Sequence, residues 1–453
     1  MAARDGAYVN SFLYLFTMLL KHLYRSSWLS AMVLLFACST TKKMQQTAEQ
    51  TIFSQPELAK AHIGISLYNP AKGAYLYNYQ GDKYFVPASN TKIITCYAAM
   101  KHLGDSIVGL QYIPTETGIT AKFTGDPTLL HPDFRKHPVA DFIKQHADDL
   151  IITLPEWKTE KYGSGWAWND YDAAYMPERS AAPVYGNVVR FTKRGNSLIT
   201  TPKLFKDSVS IFADLRSDNI RINRPQASNS FQVEKGGSRF TTTEIPFVTN
   251  DALSVALLED SLGKVIQFLD SESIADTVWK KIYSQHTDSL LKPMMHRSDN
   301  FYAEQTLLMI SQQLLGYMSD DKVIDTLLKT DFANLPQAPR WADGSGLSRY
   351  NLFTPQDFVQ ILAKMKQAFS WKRISTIFPT GGSGTLSGYY KDLNGKLYAK
   401  TGTLSGQVAL SGFLETAKGT PLIFSVLVNN HQTSATTVRR AVEQFLLQVY
   451  QTQ

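Results

Sequence analysis

Cysteine is scarce in this chain: only Cys38 and Cys96 occur among 453 residues. Two thiols cannot build a zinc cluster or a disulfide framework. Neither Cys-x-x-Cys nor His-Glu-x-x-His is present, and the nine histidines are scattered, with His131 and His137 the closest pair. No metal centre is therefore expected, and no cofactor. Gly-x-Ser-x-Gly is also missing, which counts against the nucleophile elbow of an α/β-hydrolase. A dense Lys/Arg stripe is absent too, so nucleic acid is not an expected partner. The apolar run Trp28 to Ala37 is too short to span a bilayer comfortably.

What remains is the composition of a globular protein with ample core, 43% apolar and 19% charged. The length allows two or more folding units, or one core carrying a large insert. A net charge of +7 suits anionic material or a membrane face, or serves solubility alone.

Residues 1–37 read as a signal peptide, with Lys21 and Arg25 ahead of the apolar run. Met18 offers a second possible start. The ending Leu35-Phe36-Ala37-Cys38 resembles the lipobox of bacterial lipoproteins, making Cys38 the candidate lipidation site. An uncleaved anchor or a plain signal is the alternative. Residues 38–55 are then the lipidated N-terminus and a polar tether, leaving an exported protein on the periplasmic face of the envelope.

His62 to Tyr68 alternates with period two, Asn69-Pro70 to Gly73 has turn chemistry, and Ala74 to Tyr79 gives a second strand. Pro87 then breaks the ladder. From Ser89 the apolar positions Ile93, Ile94, Tyr97 and Ala98 recur at helical spacing. Ser89 and Lys92 thus share one face at a helix N-terminus, where a neutral amine can deprotonate a hydroxyl. The plain alternative is that Ser89 only caps the helix. Ser-x-x-Lys also occurs at Ser39 to Lys42 in the tether and at Ser261 to Lys264 across a helix end. Two further copies are Ser289 to Lys292, which runs into Pro293 and is expected to open no helix, and Ser319 to Lys322, an acidic connection expected to be exposed.

Residues 106–285 change character, with many short β-like runs and a helix over Asp251 to Leu262, and read as an insert of one or two subdomains. Trp166 and Trp168 are expected to be packing aromatics, ligand contact being the alternative. From 286 to 453 the helical pattern returns, and Ser298-Asp299-Asn300 falls where two helical segments meet. A second Ser-Asp-Asn, at Ser217 to Asn219, reads as a turn beside a strand. Trp341 to Arg349 and Gly381 to Thr385 are glycine-rich loops without P-loop spacing. Leu397 to Thr403 is a strand ending on Lys400-Thr401-Gly402, two more strands follow, and Thr436 to Tyr450 is an amphipathic helix. The first hairpin and these three strands predict a five-stranded antiparallel sheet with helices on its faces, an α+β fold.

In order, the chain offers Ser89-x-x-Lys92, Ser298-x-Asn300 and Lys400-Thr-Gly, the trio of penicillin-binding proteins and class A β-lactamases. Each part meets a chemical need. Lys92 deprotonates Ser89, and a second cation at Lys400, with partial burial, helps keep Lys92 neutral. Ser298 relays a proton to the leaving amine, and Asn300 holds the substrate's amide. The N–H groups of Ser89 and Thr403 suit an oxyanion. Lys400, Thr401, Gly402 and Thr403 suit a substrate's backbone and carboxylate.

From residue 56 onward the chain resembles the class C low-molecular-mass penicillin-binding proteins, the D-alanyl-D-alanine carboxypeptidase/endopeptidase group (peptidase family S13). Beyond the trio, the likeness rests on Gly125-Asp126-Pro127-Thr128-Leu129, Gly165-Trp-Ala-Trp-Asn-Asp170, Asp343-Gly-Ser-Gly-Leu-Ser-Arg349 and Gly384-Thr385-Leu386. The long gap between Ser89 and Ser298 matches that group's large insert and not a class A β-lactamase. The resemblance implies a transpeptidase-like domain in two parts, 56–105 and 286–453, and acyl transfer from peptidoglycan stem peptides through Ser89. It also implies acylation by β-lactam antibiotics, and a pocket for the stem peptide's diamino acid shaped by Asp170 and Arg349. Ser405, where some relatives carry glutamine, and Phe123-Thr124-Gly125, in place of a fuller glycine run, bear on substrate preference. A β-lactamase or esterase on the same fold, or a non-catalytic wall-binding lipoprotein, are the competing readings.

Overall fold

The computed structural model describes residues 42–116, 118–237, 239–269 and 278–452. The expected signal peptide, residues 1–37, and Cys38 lie outside the described residues. Among those described, no helix is long and apolar enough to cross a membrane.

The architecture is built on an antiparallel sheet of β1 (His62–Asn69), β2 (Ala74–Tyr79), β3 (Leu397–Leu404), β4 (Gln407–Glu415) and β5 (Pro421–Asn429), in the order β3-β4-β5-β1-β2. β4 and β5 are buried along nearly their whole length, and their near-continuous apolar runs reflect cover on both faces. One face packs on α1 (Lys92–His102), α2 (Thr287–His296), α3 (Asn300–Leu315) and α4 (Pro355–Ala368). The other packs on α5 (Ala435–Thr452) through Val438, Val442, Phe445, Leu446 and Val449.

A polar row crosses this apolar sheet. Lys400 pairs in register with Ser411, Ser411 with Ser425, Ser425 with Ser66, and Ser66 with Asn78. Their hydroxyls satisfy one another, Ser411 to Ser425 at 2.8 Å and Ser66 to Asn78 at 2.6 Å, so the buried polar atoms keep partners. Asn90 joins the row at Ser411, 2.7 Å away. That bond ties the turn carrying Ser89 to β4, the strand paired with the one that carries Lys400.

The segment between α1 and α2 has its own core, centred on Phe191, Phe231, Phe247, Leu257 and Leu258. It holds a second five-stranded sheet and two three-stranded ones, and the Asp251–Leu262 helix. The second five-stranded sheet ends on Lys280–His286, which leads directly into α2.

Three expectations are corrected. Residues 42–53, expected as tether, are helical and packed on the α5 side, because Met44, Ala48 and Ile52 form a buried stripe at four-residue spacing. Ser289 and Lys292 lie inside α2, which continues through Pro293. The missing N–H and ring clash cost about 3 kcal/mol, and burial of Leu290, Leu291, Met294 and Met295 outweighs it. Ser319 is buried and precedes a helix over Asp320–Lys329, whose acidic first turn complements the helix dipole.

Candidate active site

Ser89 sits in a short helical turn, Ala88–Thr91, that runs straight into α1. Ala88 has φ +48° and Ser298 φ +62°. Left-handed backbone at non-glycine residues costs about 1–3 kcal/mol each and persists only where the surroundings impose it. Here they do. A Cβ on Gly346 would lie 1.9 Å from the carbonyl oxygen of Ala88, and one on Gly402 would lie 2.6 Å from that of Pro87. Two glycine backbones, one in the 343–349 loop and one in β3, therefore abut the turn.

The Lys92 side chain is fully buried and has three polar neighbours. Its Nζ lies 3.0 Å from Ser89 Oγ, 2.6 Å from Asn300 Oδ1 and 2.7 Å from the carbonyl oxygen of Ser345. The Asn300 amide is oriented by Nδ2, which donates to the Tyr175 carbonyl at 2.9 Å. Asn300 Oδ1 and Ser345 O can only accept, so they take two N–H bonds. In a neutral amine the third position is the lone pair, and it faces the Ser89 hydroxyl. Burial lowers the Lys92 pKa to about 8, against the opposing pull of Asp343, Glu304 and Asp299.

Lys400 is also fully buried, its Nζ 2.8 Å from Ser298 Oγ and 2.7 Å from the carbonyl of Thr401. Burial first, and Lys92 second, push its pKa well below the usual lysine range. Of the two expected causes, burial and the second cation, burial is the main one at both amines. Thr401 donates to Thr385 Oγ1 at 2.8 Å.

A cavity of about 650 Å³ opens over these groups, lined by Ser89, Ser298, Asn300, Thr403, Asp170 and Arg349 among others. The structure thus brings together every sequence-predicted site residue among those described. Asp170 and Tyr175 lie together in the lining, while Arg349 is tied to Gln407 Oε1 at 2.9 Å and to the Ser405 carbonyl at 3.3 Å. Sequence reasoning missed Ser345, Tyr175 and Glu304. The first two act through backbone carbonyls, which leave no side-chain signature. Glu304 stands one helical turn beyond Asn300, a spacing that α3 makes legible. It accepts from Ser345 N at 2.7 Å and meets Arg179 Nη1 at 3.3 Å. Burial first, then Asp343, raises its pKa to about 7.

The 343–349 loop is held from the intervening segment as well. Asp343 accepts from Gly346 N, Ser348 N and Asn351 Nδ2, and from Trp166 Nε1 at 2.9 Å. Trp166 is thus a packing and hydrogen-bonding residue, whereas Trp168 is 74% exposed and does not pack as expected. Trp166→Phe removes one bond of four to Asp343 and is expected to cost about 1 kcal/mol, read as a lower midpoint in urea denaturation. An unchanged midpoint would show that the contact adds no stability.

A serine, two buried amines and an asparagine converging on one cavity are the groups a serine hydrolase needs. Residues 45–449 match the model of the D-Ala-D-Ala carboxypeptidase 3 (S13) family, and the chain belongs to that family. It is accordingly a peptidase hydrolase of the D-alanyl-D-alanine carboxypeptidase class. It is 27% identical over 440 residues to the D-alanyl-D-alanine carboxypeptidase of Actinomadura sp. (strain R39), covering 84% of this chain and 80% of that protein. It is 24% identical over 442 residues to the D-alanyl-D-alanine carboxypeptidase DacB of Haemophilus influenzae, covering 86% and 90%. In fold it is similar to the crystal structure of penicillin binding protein 4 (dacB) from Haemophilus influenzae, with a TM-score of 0.69, 22% identity and coverage of 90% of this chain and 98% of that one. A structure of that protein complexed with a novel β-lactam superposes with a TM-score of 0.65 at 20% identity, over 91% of this chain and 99% of that one.

Proposed function

We propose that Ser89 is the nucleophile of a D-Ala-D-Ala carboxypeptidase and endopeptidase acting on peptidoglycan stem peptides. The observation that carries this reading is the buried Lys92 Nζ 3.0 Å from Ser89 Oγ, with two acceptor-only neighbours taking its other positions. Ser89 Oγ attacks the carbonyl carbon of the amide before the terminal residue, and its proton passes to Lys92 Nζ. The N–H groups of Ser89 and Thr403 receive the developing oxyanion. As the C–N bond breaks, that proton reaches the leaving nitrogen by way of Ser298 Oγ, which Lys400 holds. Water then attacks the acyl-enzyme, Lys92 takes its proton and returns it to Ser89, and the acid is released.

Asn300 fixes Lys92 and the substrate's amide. Thr401, Gly402 and Thr403 bind the peptide along the edge strand β3, and Asp170 with Arg349 shapes the pocket for the diamino acid side chain. β-Lactams acylate Ser89 by the same route, in keeping with the β-lactam complex of the structurally similar protein. Residues 106–285 serve as an insert that braces the site through Tyr175, Trp166 and Arg179. The protein is exported, with residues 1–37 as signal peptide and Cys38 as the lipidated N-terminus on the periplasmic face of the envelope.

The test uses the purified mature protein. Incubation with a labelled penicillin should give an adduct that peptide mass analysis maps to Ser89, and a stem peptide ending in D-Ala-D-Ala should release D-alanine. An adduct on another residue, or no release of D-alanine or cleaved cross-links, would overturn the assignment.

A further inference from the structure

Substrates that end in D-alanine bring a carboxylate into the cavity, and that anion needs a fixed cation. Lys400 is a poor one. It is fully buried, its Nζ is spent on Ser298 Oγ and the Thr401 carbonyl, and burial lowers its pKa. Lys92 is engaged at three sides. Arg349 is held against Gln407 and the Ser405 carbonyl at the turn between β3 and β4.

Arg439 is different. It projects from the second turn of α5, and its Nη2 lies 2.6 Å from Thr403 Oγ1, a hydroxyl of the cavity lining. Its neighbour Arg440 is paired with Glu443, whereas among the described residues Arg439 pairs with no carboxylate. A guanidinium stays charged at any working pH and presents a planar fork of donors that fits a carboxylate. Its orientation is steadied on the other side by Tyr389, whose ring centroid lies 5.9 Å from Arg439 Cζ.

Building on the reading of Ser89 and Lys400-Thr-Gly above, we propose that Arg439, with the Thr403 hydroxyl, is the specificity-determining receptor for the substrate's terminal carboxylate. The bound anion takes the place that Thr403 Oγ1 now fills on the guanidinium or shares it, so Arg439 acts on substrate recognition and takes no proton.

The test compares wild type with Arg439→Ala and Arg439→Lys on two pairs of probes. One pair is a tripeptide ending in D-Ala-D-Ala and its C-terminal amide; the other is benzylpenicillin and its methyl ester. Arg439→Ala should lower kcat/KM for the acid tripeptide, and the acylation rate by the acid penicillin, by about 10- to 100-fold. It should leave the amide and the ester within about twofold, with partial recovery in Arg439→Lys. Equal losses on acid and neutral probes would mean a structural role and overturn the proposal, as would no loss on either. Failure of the wild type to react with any of the four probes would instead overturn the reading of Ser89, and the proposal with it.

Discussion

Ser89→Ala is expected to abolish covalent labelling by a β-lactam altogether, whereas Lys92→Ala, which keeps the hydroxyl, should slow labelling by about 10²- to 10⁴-fold. The difference follows from what each group contributes. Without Oγ no acyl bond forms. Without Lys92 the hydroxyl remains, still placed by Gly346 and Gly402, but no base faces it. The pH profile separates a base from a mere packing residue. Above a pKa of about 8 the Lys92 amine is neutral and its lone pair meets Ser89; below it the ammonium carries three N–H bonds and accepts nothing. The kcat/KM of the wild type should therefore fall on the acid side through about pH 8, close to tenfold for each unit below. In Lys92→Ala that acid limb should vanish along with most of the rate. A wild-type profile flat between pH 6 and 9, or a Lys92→Ala variant that retains the acid limb, would remove Lys92 from the role of base.

Much of this constellation was legible in the sequence because its parts are side-chain motifs placed by local rules. The period-two hairpin, the proline break and the helical run after it locate Ser89 and Lys92 without any tertiary knowledge. The strand ending on Lys400-Thr-Gly and the helix junction at Ser298 were readable in the same way. The remainder depends on contacts between distant segments. The Ser345 carbonyl reaches Lys92 only after the 343–349 loop is seated, and that seating uses Asp343, Glu304 and Trp166 from three different parts of the chain. The continuation of α2 through Pro293 could not be read locally, because a proline's local cost is visible while the burial that offsets it is not. The same holds for residues 42–53, whose polar composition hides a three-residue stripe that α5 covers.

Gly346→Ala should be the most damaging change among residues that make no side-chain contact at all. Two physical effects add. The backbone at Gly346 has φ +82°, a left-handed conformation that costs an L-residue about 1–2 kcal/mol. The new Cβ would also fall 1.9 Å from Ala88 O and 2.5 Å from Ala88 C, both backbone atoms with no rotamer to change. Relief must come from displacing either the Ala88–Thr91 turn or the 343–349 loop. The first moves Ser89 Oγ, and the second moves the Ser345 carbonyl that directs the Lys92 lone pair. Displacement of about 1 Å in such a pair costs near 10²-fold in rate, so kcat/KM should fall by at least that factor. A stability loss of about 2–4 kcal/mol, read from the urea midpoint, should accompany it. Gly388→Ala is the matched control, since a Cβ there meets nothing within 4 Å; it should leave rate and midpoint close to wild type. If Gly346→Ala kept wild-type acylation kinetics, the close packing of glycine against the nucleophile turn would not be what positions Ser89.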